Sequence, residues 1–354
     1  MITMIRKKIL CLYADNFGCG NYRIKIPYNH FKSVYEKDFD VTIKDFQQFI
    51  IQSDRVELLN YDYYIIQRAM TEPTYEFIKF LKDNKKIIIH ELDDDIKSVK
   101  QHNPAYKYIK ETNALFIHNK SIKIFDYHHV TCEHLKTQIA KVNNKLDSIK
   151  VFPNAIDLSD LSYKNNYRNN LPKDKIIIGY QGSSSHSKDI EEIIEPMNFI
   201  CNKYKNVIFA FCCNPEFIEK FSIPLEQIKL IPPIDNFQQF KPIPSFFDIG
   251  LVPLNDRDEL NYSKSYLKAL EFGIYDIPII ASNVGEYARL NHLGIITTVK
   301  NKTKKWIELI EILINNKQLR SNLGSIIKEN MFNNRDISLD GINQKRYDFF
   351  KGLG

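Results

Sequence analysis

Apolar residues in this chain gather into short runs, and between the runs they recur every three or four positions. Runs at 9–14, 41–46, 63–67, 86–90, 127–131 and 148–152 are rich in Ile, Val and Tyr, as buried strands are. Helical spacing covers 24–35 and 72–84, and a further helix starts at Cys132. A polar stretch rich in Asn and Tyr follows, without periodicity. A second series then opens, with strands expected at 175–180, 207–213, 228–231, 247–253, 277–281 and 294–299. Helices are expected at 188–204, 263–272 and, as one long element, 304–331.

Continuous apolar strands alternating with helices predict parallel sheets covered on both faces. The expected fold class is therefore α/β, with two Rossmann-like doubly wound domains at 1–157 and 175–332. A linker is expected at 158–174, and a tail or helix at 333–354 packing back on the first domain. The length of 354 residues suits two domains of ordinary size.

Composition narrows the function classes. The chain is 44% hydrophobic and 26% charged, and no run reaches the roughly 18–20 apolar residues of a membrane span. Arg6, Lys7 and Lys8 precede a short apolar run that reads as the first strand, not as a signal peptide. Six cysteines without a CxxC pair point to reduced thiols in a cytoplasmic protein and to no metal site. The net charge of +6 suits an anionic substrate and permits DNA without demanding it. Lysine clusters at 82–86 and 300–305 read as solvated faces.

Four stretches could carry chemistry. The first, 16–23, places Gly18, Gly20 and Arg23 after the first strand, where a backbone could approach a phosphate; the alternative is a tight strand-to-helix turn. A third glycine is missing, so this is not the dinucleotide fingerprint. The second, 179–189, brings Gly182, Ser183, Ser184, His186 and Lys188 to a helix N-terminus suited to a diphosphate, against the alternative of a flexible serine-rich loop. The third, 261–273, carries Lys264, Ser265 and Glu271. Lys264 and Glu271 are seven apart and so share a helical face about 10 Å apart, a span that fits phosphates at one end and a ribose at the other. Against this, Lys268 and Glu271 could form an exposed i,i+3 ion pair. The fourth is the acidic turn 91–95, in which Asp94 could position an acceptor hydroxyl; the alternative is helix capping. His118, His128, His129 and His134 show no metal spacing and read as structural or surface residues.

The stretches 152–157 (Phe-Pro-Asn-Ala-Ile-Asp), 178–183, 248–254 with 264–273 and 278–282, and 306–323 resemble the family-4-like glycosyltransferases of the GT-B fold. The resemblance covers nearly the whole chain and implies two domains facing across a cleft. It also implies sugar transfer from a nucleoside-diphosphate sugar to an acceptor hydroxyl, with retention and no essential divalent metal. Glu271 matches the family's ribose-holding acid, Lys188 and Lys264 its phosphate-binding cations, and Gly18 and Gly20 its first-domain glycine loop. The first acid of the family's glutamate pair falls at Ser263, a departure for which Asp256, Asp258 or Glu259 could substitute. The implied partners are a nucleotide sugar and an undetermined acceptor: a surface glycan, a lipid-linked glycan, a protein or a hydroxylated DNA base. Two alternatives stay open, a nucleotide-sugar epimerase and a non-catalytic nucleotide-sugar-binding protein.

Overall fold

A computed structural model describes residues 6–158, 167–292 and 296–353. The chain divides into two compact units. One comprises Met1–Ser98, Lys107–Asp157 and Arg335–Gly354; the other comprises Val99–Tyr106 and Leu158–Asn334. The short segment 99–106 thus belongs with the second half of the chain, and the last twenty residues with the first. Residues 159–166 of the expected linker lie outside the described residues, as does the start of the strand expected at 294–299.

Six parallel strands form the first sheet: β1 (Lys7–Tyr13), β2 (Phe39–Asp45), β3 (Tyr63–Gln67), β4 (Ile87–Leu92), β5 (Tyr127–Val130) and β6 (Ile149–Val151). Their order is β2-β1-β3-β4-β5-β6. Successive side chains on a strand face opposite ways. Leu10, Leu12, Tyr64, Ile66 and Ile88 accordingly pack with Phe77, Ile78 and Leu81 of the helix Glu72–Asp83. On the other face Ile9, Cys11, Val41, Tyr63, Ile65 and Ile89 meet Tyr28 and Phe31 of the helix Ile26–Val34. Phe350 of the C-terminal helix Leu339–Lys351 completes that face, its ring 5.7 Å from Phe31. Burying each such side chain contributes about 1.5–3 kcal/mol.

The second sheet comprises β7 (Ile176–Gln181), β8 (Val207–Cys212), β9 (Ile228–Ile231), β10 (Ile249–Val252), β11 (Ile279–Ser282) and β12 (Thr297–Val299), in the order β12-β11-β10-β7-β8-β9. Tyr180, Phe209, Phe211, Ile249 and Ile280 share a core with Met197, Ile200 and the fully buried Trp306. In each sheet the chain starts at an inner strand, builds to one side, then crosses back. The reversals fall between β1 and β3 and between β7 and β10. At such a reversal the connections beyond the strand ends diverge and leave a crevice for ligands.

Three expected helices differ at their ends, each for a local reason. The helix expected from 188 starts instead as a 3-10 turn at Ile190–Ile193, with α-helix only over Ile194–Lys203. Pro196 lacks a backbone donor and is tolerated only in a first α-turn, which sets that start. The expected long helix breaks at Asn316, whose side chain caps the helix Lys317–Asn333 by accepting from the Leu319 amide at 2.8 Å. The helix expected from 263 begins at Leu267. Ser263 Oγ donates to the Leu260 carbonyl at 2.7 Å and Ser265 Oγ accepts from the Leu267 amide at 3.4 Å, local bonds that compete with helix for the backbone. Helices at Phe46–Gln52, Ala105–Glu111, Ala114–Ile122 and Glu286–His292 were not expected.

Candidate functional site

At the second reversal, β7 ends in Gln181 and the chain turns through Gly182 into a short 3-10 turn, Ser184–His186. A side chain on Gly182 would meet the Tyr180 hydroxyl at 2.5 Å, so the turn lies directly against that ring. His186 Nδ1 stands 2.6 Å from Asp189 Oδ2. A carboxylate only accepts, so Nδ1 carries the proton. The other Asp189 oxygen accepts from the Asn255 amide at 2.8 Å and from Asn261 Nδ2 at 2.6 Å. One buried carboxylate thereby ties together the loops that follow β7 and β10.

The helix Leu267–Gly273 brings the remaining polar groups to this place. Glu271 is only 7% exposed, and its Oε2 accepts from Gln181 Nε2 at 2.6 Å. That burial removes the alternative of an exposed Lys268–Glu271 pair. Lys268 keeps partial exposure, yet protein crowds its ammonium. Desolvation pulls its pKa down to about 8 against the opposing pull of Asp189 and Glu271, and Lys264 adds repulsion. His186 is pulled down to about 4, by burial first and then by Lys268, with the Asp189 bond opposing. The Tyr287 hydroxyl is raised by burial, then by Glu271 and Asp189, and it bonds the Lys268 backbone. The result is a half-buried cluster in which two ammonium groups and the carboxylates of Asp189 and Glu271 surround a neutral imidazole.

Several expected site residues take other positions. Lys264 precedes the helix instead of lying on its face, so the shared-face spacing with Glu271 does not apply; its charge still reaches His186 and Lys268. Lys188 is half-exposed and pairs with Glu191 at 3.0 Å, beside a second Glu191 partner, Lys220. Ser183 and Ser185 bond each other at 2.7 Å. Of the acids weighed against Ser263, Asp258 pairs with His102 at 3.0 Å and Lys100 at 3.5 Å. Glu259 opens a 3-10 turn, and Asp256 lines a polar cavity of about 200 Å³ with Asn283, Lys300, Asn301 and Lys302.

At the first reversal Arg23 requires correction. Its guanidinium is fully buried, paired with Glu91 and donating to the Phe152 carbonyl and Asn154 Oδ1, both at 2.8 Å. It joins β4 to the residues after β6 and presents no surface to a ligand. Gly20 is required by close packing, since a side chain there would meet the Asp15 carbonyl at 1.8 Å, whereas Gly18 faces open space. The acidic turn divides its labour. Glu91 holds Arg23, Asp93 takes both Nε and Nη2 of Arg68 at 3.1 Å, and Asp95 accepts from the Lys97 amide and the Ser98 hydroxyl. Half-buried Asp94 acts electrostatically on Arg68 and Cys19. Arg68 Nη2 also donates to the Cys19 sulfur at 2.7 Å.

His118, His128 and His129 are buried, and His134 lies on a helix surface bonded to Gln138 at 3.2 Å. All six cysteines are free thiols. Among the described residues no His, Cys, Asp and Glu cluster could hold a metal ion, and no helix is long and apolar enough to cross a membrane. The sequence reading missed Gln181, Asp189, Asn261 and Lys268 on the second unit and Arg68 on the first. The available signal was position: Gln181 is the polar last residue of β7, and Arg68 directly follows the end of β3.

No protein-family model matches the sequence, and no curated protein matches it. Solved structures do match in shape. Sucrose-phosphate synthase from Thermosynechococcus elongatus superposes with a TM-score of 0.69 at 12% identity, over 98% of this chain and 99% of that one. Anabaena HepE in complex with UDP and glucose gives 0.69 at 12% identity, over 98% and 100%. A Listeria monocytogenes protein provisionally assigned as a UDP-N-acetylglucosamine 2-epimerase gives 0.58 at 14%, over 90% and 91%. The two six-stranded parallel sheets and these neighbours define the fold as GT-B.

Proposed function

We propose that the protein is a glycosyltransferase that moves a sugar from a nucleoside-diphosphate sugar to an acceptor hydroxyl, with retention of anomeric configuration. One observation carries the reading: the reversal between β7 and β10 gathers Lys264, Lys268, His186 and the buried Glu271. A diphosphate carries negative charge that the ammonium groups of Lys264 and Lys268 can pair with, and a ribose supplies hydroxyls that donate to a buried carboxylate. Solved neighbours of the same fold hold UDP and UDP-glucose, which fits that pairing.

In the reaction the bond from the anomeric carbon to the phosphate oxygen breaks and a bond to the acceptor oxygen forms. The acceptor proton passes to the departing phosphate, so no protein base is required. Lys264, Lys268 and the amides of Ser183 to Ser185 stabilise the charge on the leaving diphosphate, a form of electrostatic help that is commonly the largest catalytic contribution; the Gly182 amide is taken by the Cys212 carbonyl at 3.0 Å. In this reading Asp189 orients His186, Ser265 borders the phosphates, and Asp94 belongs to the acceptor side. Divalent metal is not essential, and EDTA is expected to leave turnover intact.

The test is mass spectrometry after incubation with a pool of nucleotide sugars, alone and with candidate acceptors including hydroxylated DNA. Transfer or slow hydrolysis of one donor is expected; retention of every donor intact, with no nucleotide binding by calorimetry, overturns the reading. A second reading, a nucleotide-sugar epimerase, draws on the Listeria neighbour. Conversion of the donor sugar to its epimer without any acceptor selects it.

A further inference from the structure

Gln181 is an unusual residue for its place. It closes a strand whose preceding members are all apolar except Gly179, and only 1% of it is exposed. Its backbone continues the ladder opposite Cys212. One half of its amide donates to Glu271 Oε2 at 2.6 Å; the other, Oε1, is buried and has no partner among the described residues. A buried acceptor without a donor is costly, and an apolar side chain at this strand end would avoid the cost. Structure alone therefore gives no reason for an amide here.

The bond to Glu271 gives one. A donor at 2.6 Å from a carboxylate is a short, charge-assisted contact, and it fixes the carboxylate in one orientation. Because the donor is neutral, it does so without cancelling the charge, as an Arg or Lys would. Glu271 keeps its negative charge to act on Lys268 and Tyr287, both of which feel it. We propose that Gln181 is the positioning residue that holds the Glu271 carboxylate in the orientation needed to accept the ribose hydroxyls of the nucleotide. This rests on the proposed ribose role of Glu271 and adds to it the device that aims it.

Three variants separate the possibilities: Gln181→Leu, Gln181→Glu and Glu271→Ala. Each is titrated with UDP and GDP by calorimetry between pH 6 and 7.5, beside thermal unfolding of the ligand-free protein. Gln181→Leu is expected to weaken nucleotide binding at least tenfold at every pH; its unfolding temperature reports separately the balance between losing the Glu271 donor and removing the unpaired Oε1. Gln181→Glu puts two carboxyl groups 2.6 Å apart, where they share one proton and titrate as a pair. Its protonated form donates to Glu271 as the amide does. Binding close to wild type at pH 6 and at least tenfold weaker at pH 7.5 is the expected signature. In the ligand-free variant the pair binds its proton more tightly folded than unfolded, so its unfolding temperature drops relative to wild type as pH rises over the same range.

Gln181→Leu binding as tightly as wild type, with Glu271→Ala still weak, overturns the positioning role and leaves the ribose assignment standing. Tight binding by Glu271→Ala removes the ribose assignment and the positioning role with it. Absence of any relative pH response in the unfolding of Gln181→Glu overturns the proposed bond whether or not a nucleotide binds.

Discussion

The imidazole of His186 donates from Nδ1 to the Asp189 carboxylate at 2.6 Å, and the same carboxylate is held from its other oxygen by Asn255 and Asn261. The histidine is thus fixed in one tautomer and one orientation, while burial and the Lys268 charge keep it neutral, with a pKa of about 4. An Asp partner would ordinarily favour the imidazolium; here desolvation and two nearby ammonium groups win.

A bound diphosphate reverses that balance. Its charges offset Lys264 and Lys268, so the His186 pKa rises on binding, and the complex takes up a proton at a pH between the free and bound values. Calorimetry of UDP binding at pH 6 in buffers of different ionisation enthalpy is expected to show a fractional proton taken up, and His186→Asn is expected to remove it. Equal apparent enthalpies in all buffers with wild-type protein would sink the idea.

Lys268, which was not expected at the site, and Lys188, which was, differ in their surroundings. Lys268 is crowded by protein, whereas Lys188 sits in an i,i+3 surface pair of the kind worth a few tenths of a kcal/mol. Lys268→Met is expected to cost at least tenfold in UDP affinity, about 1.4 kcal/mol or more. Lys188→Met should change it less than twofold. Since the Lys268 ammonium deprotonates at about pH 8 in the free protein, wild-type affinity should also decline as pH rises through 8. That decline should be absent from Lys268→Met. Equal losses from the two substitutions would show that the charge at 268 has no special place.

Arg23 lends itself to a test of structure against binding. Its removal leaves Glu91 fully buried without its cation, a loss that typically costs about 3–5 kcal/mol. Arg23→Leu is therefore expected to lower the unfolding midpoint of the first unit in urea while the folded protein binds UDP as before. Normal stability with lost binding would restore the guanidinium to the ligand site.

The strands were legible because a buried parallel strand must be apolar on both faces, and all twelve lie within a few residues of the runs that predict them. Helix ends were less legible, because Pro196, Asn316 and the serines at 263 and 265 decide them through single backbone bonds. Glu271 stood out through its spacing from Lys264, although that spacing proved to span a turn and not one helix. Gln181 and Asp189 could not be found this way. Gln181 meets Glu271 90 positions away, and Asp189, besides His186 three positions before it, meets Asn255 and Asn261 66 and 72 positions away; nothing local marks those distant partners. Arg23 was misplaced for the same reason, since its partners lie at 91, 152 and 154.

Acid should unfold this protein earlier than its carboxylates alone would dictate. His90, His118 and His128 form a buried group, with the His90 and His128 rings meeting at Nδ1 across 3.4 Å. Burial is the first cause in each case, holding His118 to about 4, His128 to about 3 and His90 well below its ordinary value. Unfolded, each would take a proton as pH falls through about 6.5. Between that pH and about 4 the unfolded chain therefore binds protons that the native one refuses, and stability drops as pH drops. Each such histidine adds up to ~1.4 kcal/mol per pH unit to the slope well below 6.5. His128→Gln cannot titrate, so its urea midpoint should fall less steeply between pH 6 and 4.5 than that of wild type, even though its stability at pH 7.5 is lower. An unchanged slope would mean that His128 is already protonated in the native protein, and that the buried group carries charge the packing around it gives no sign of accommodating.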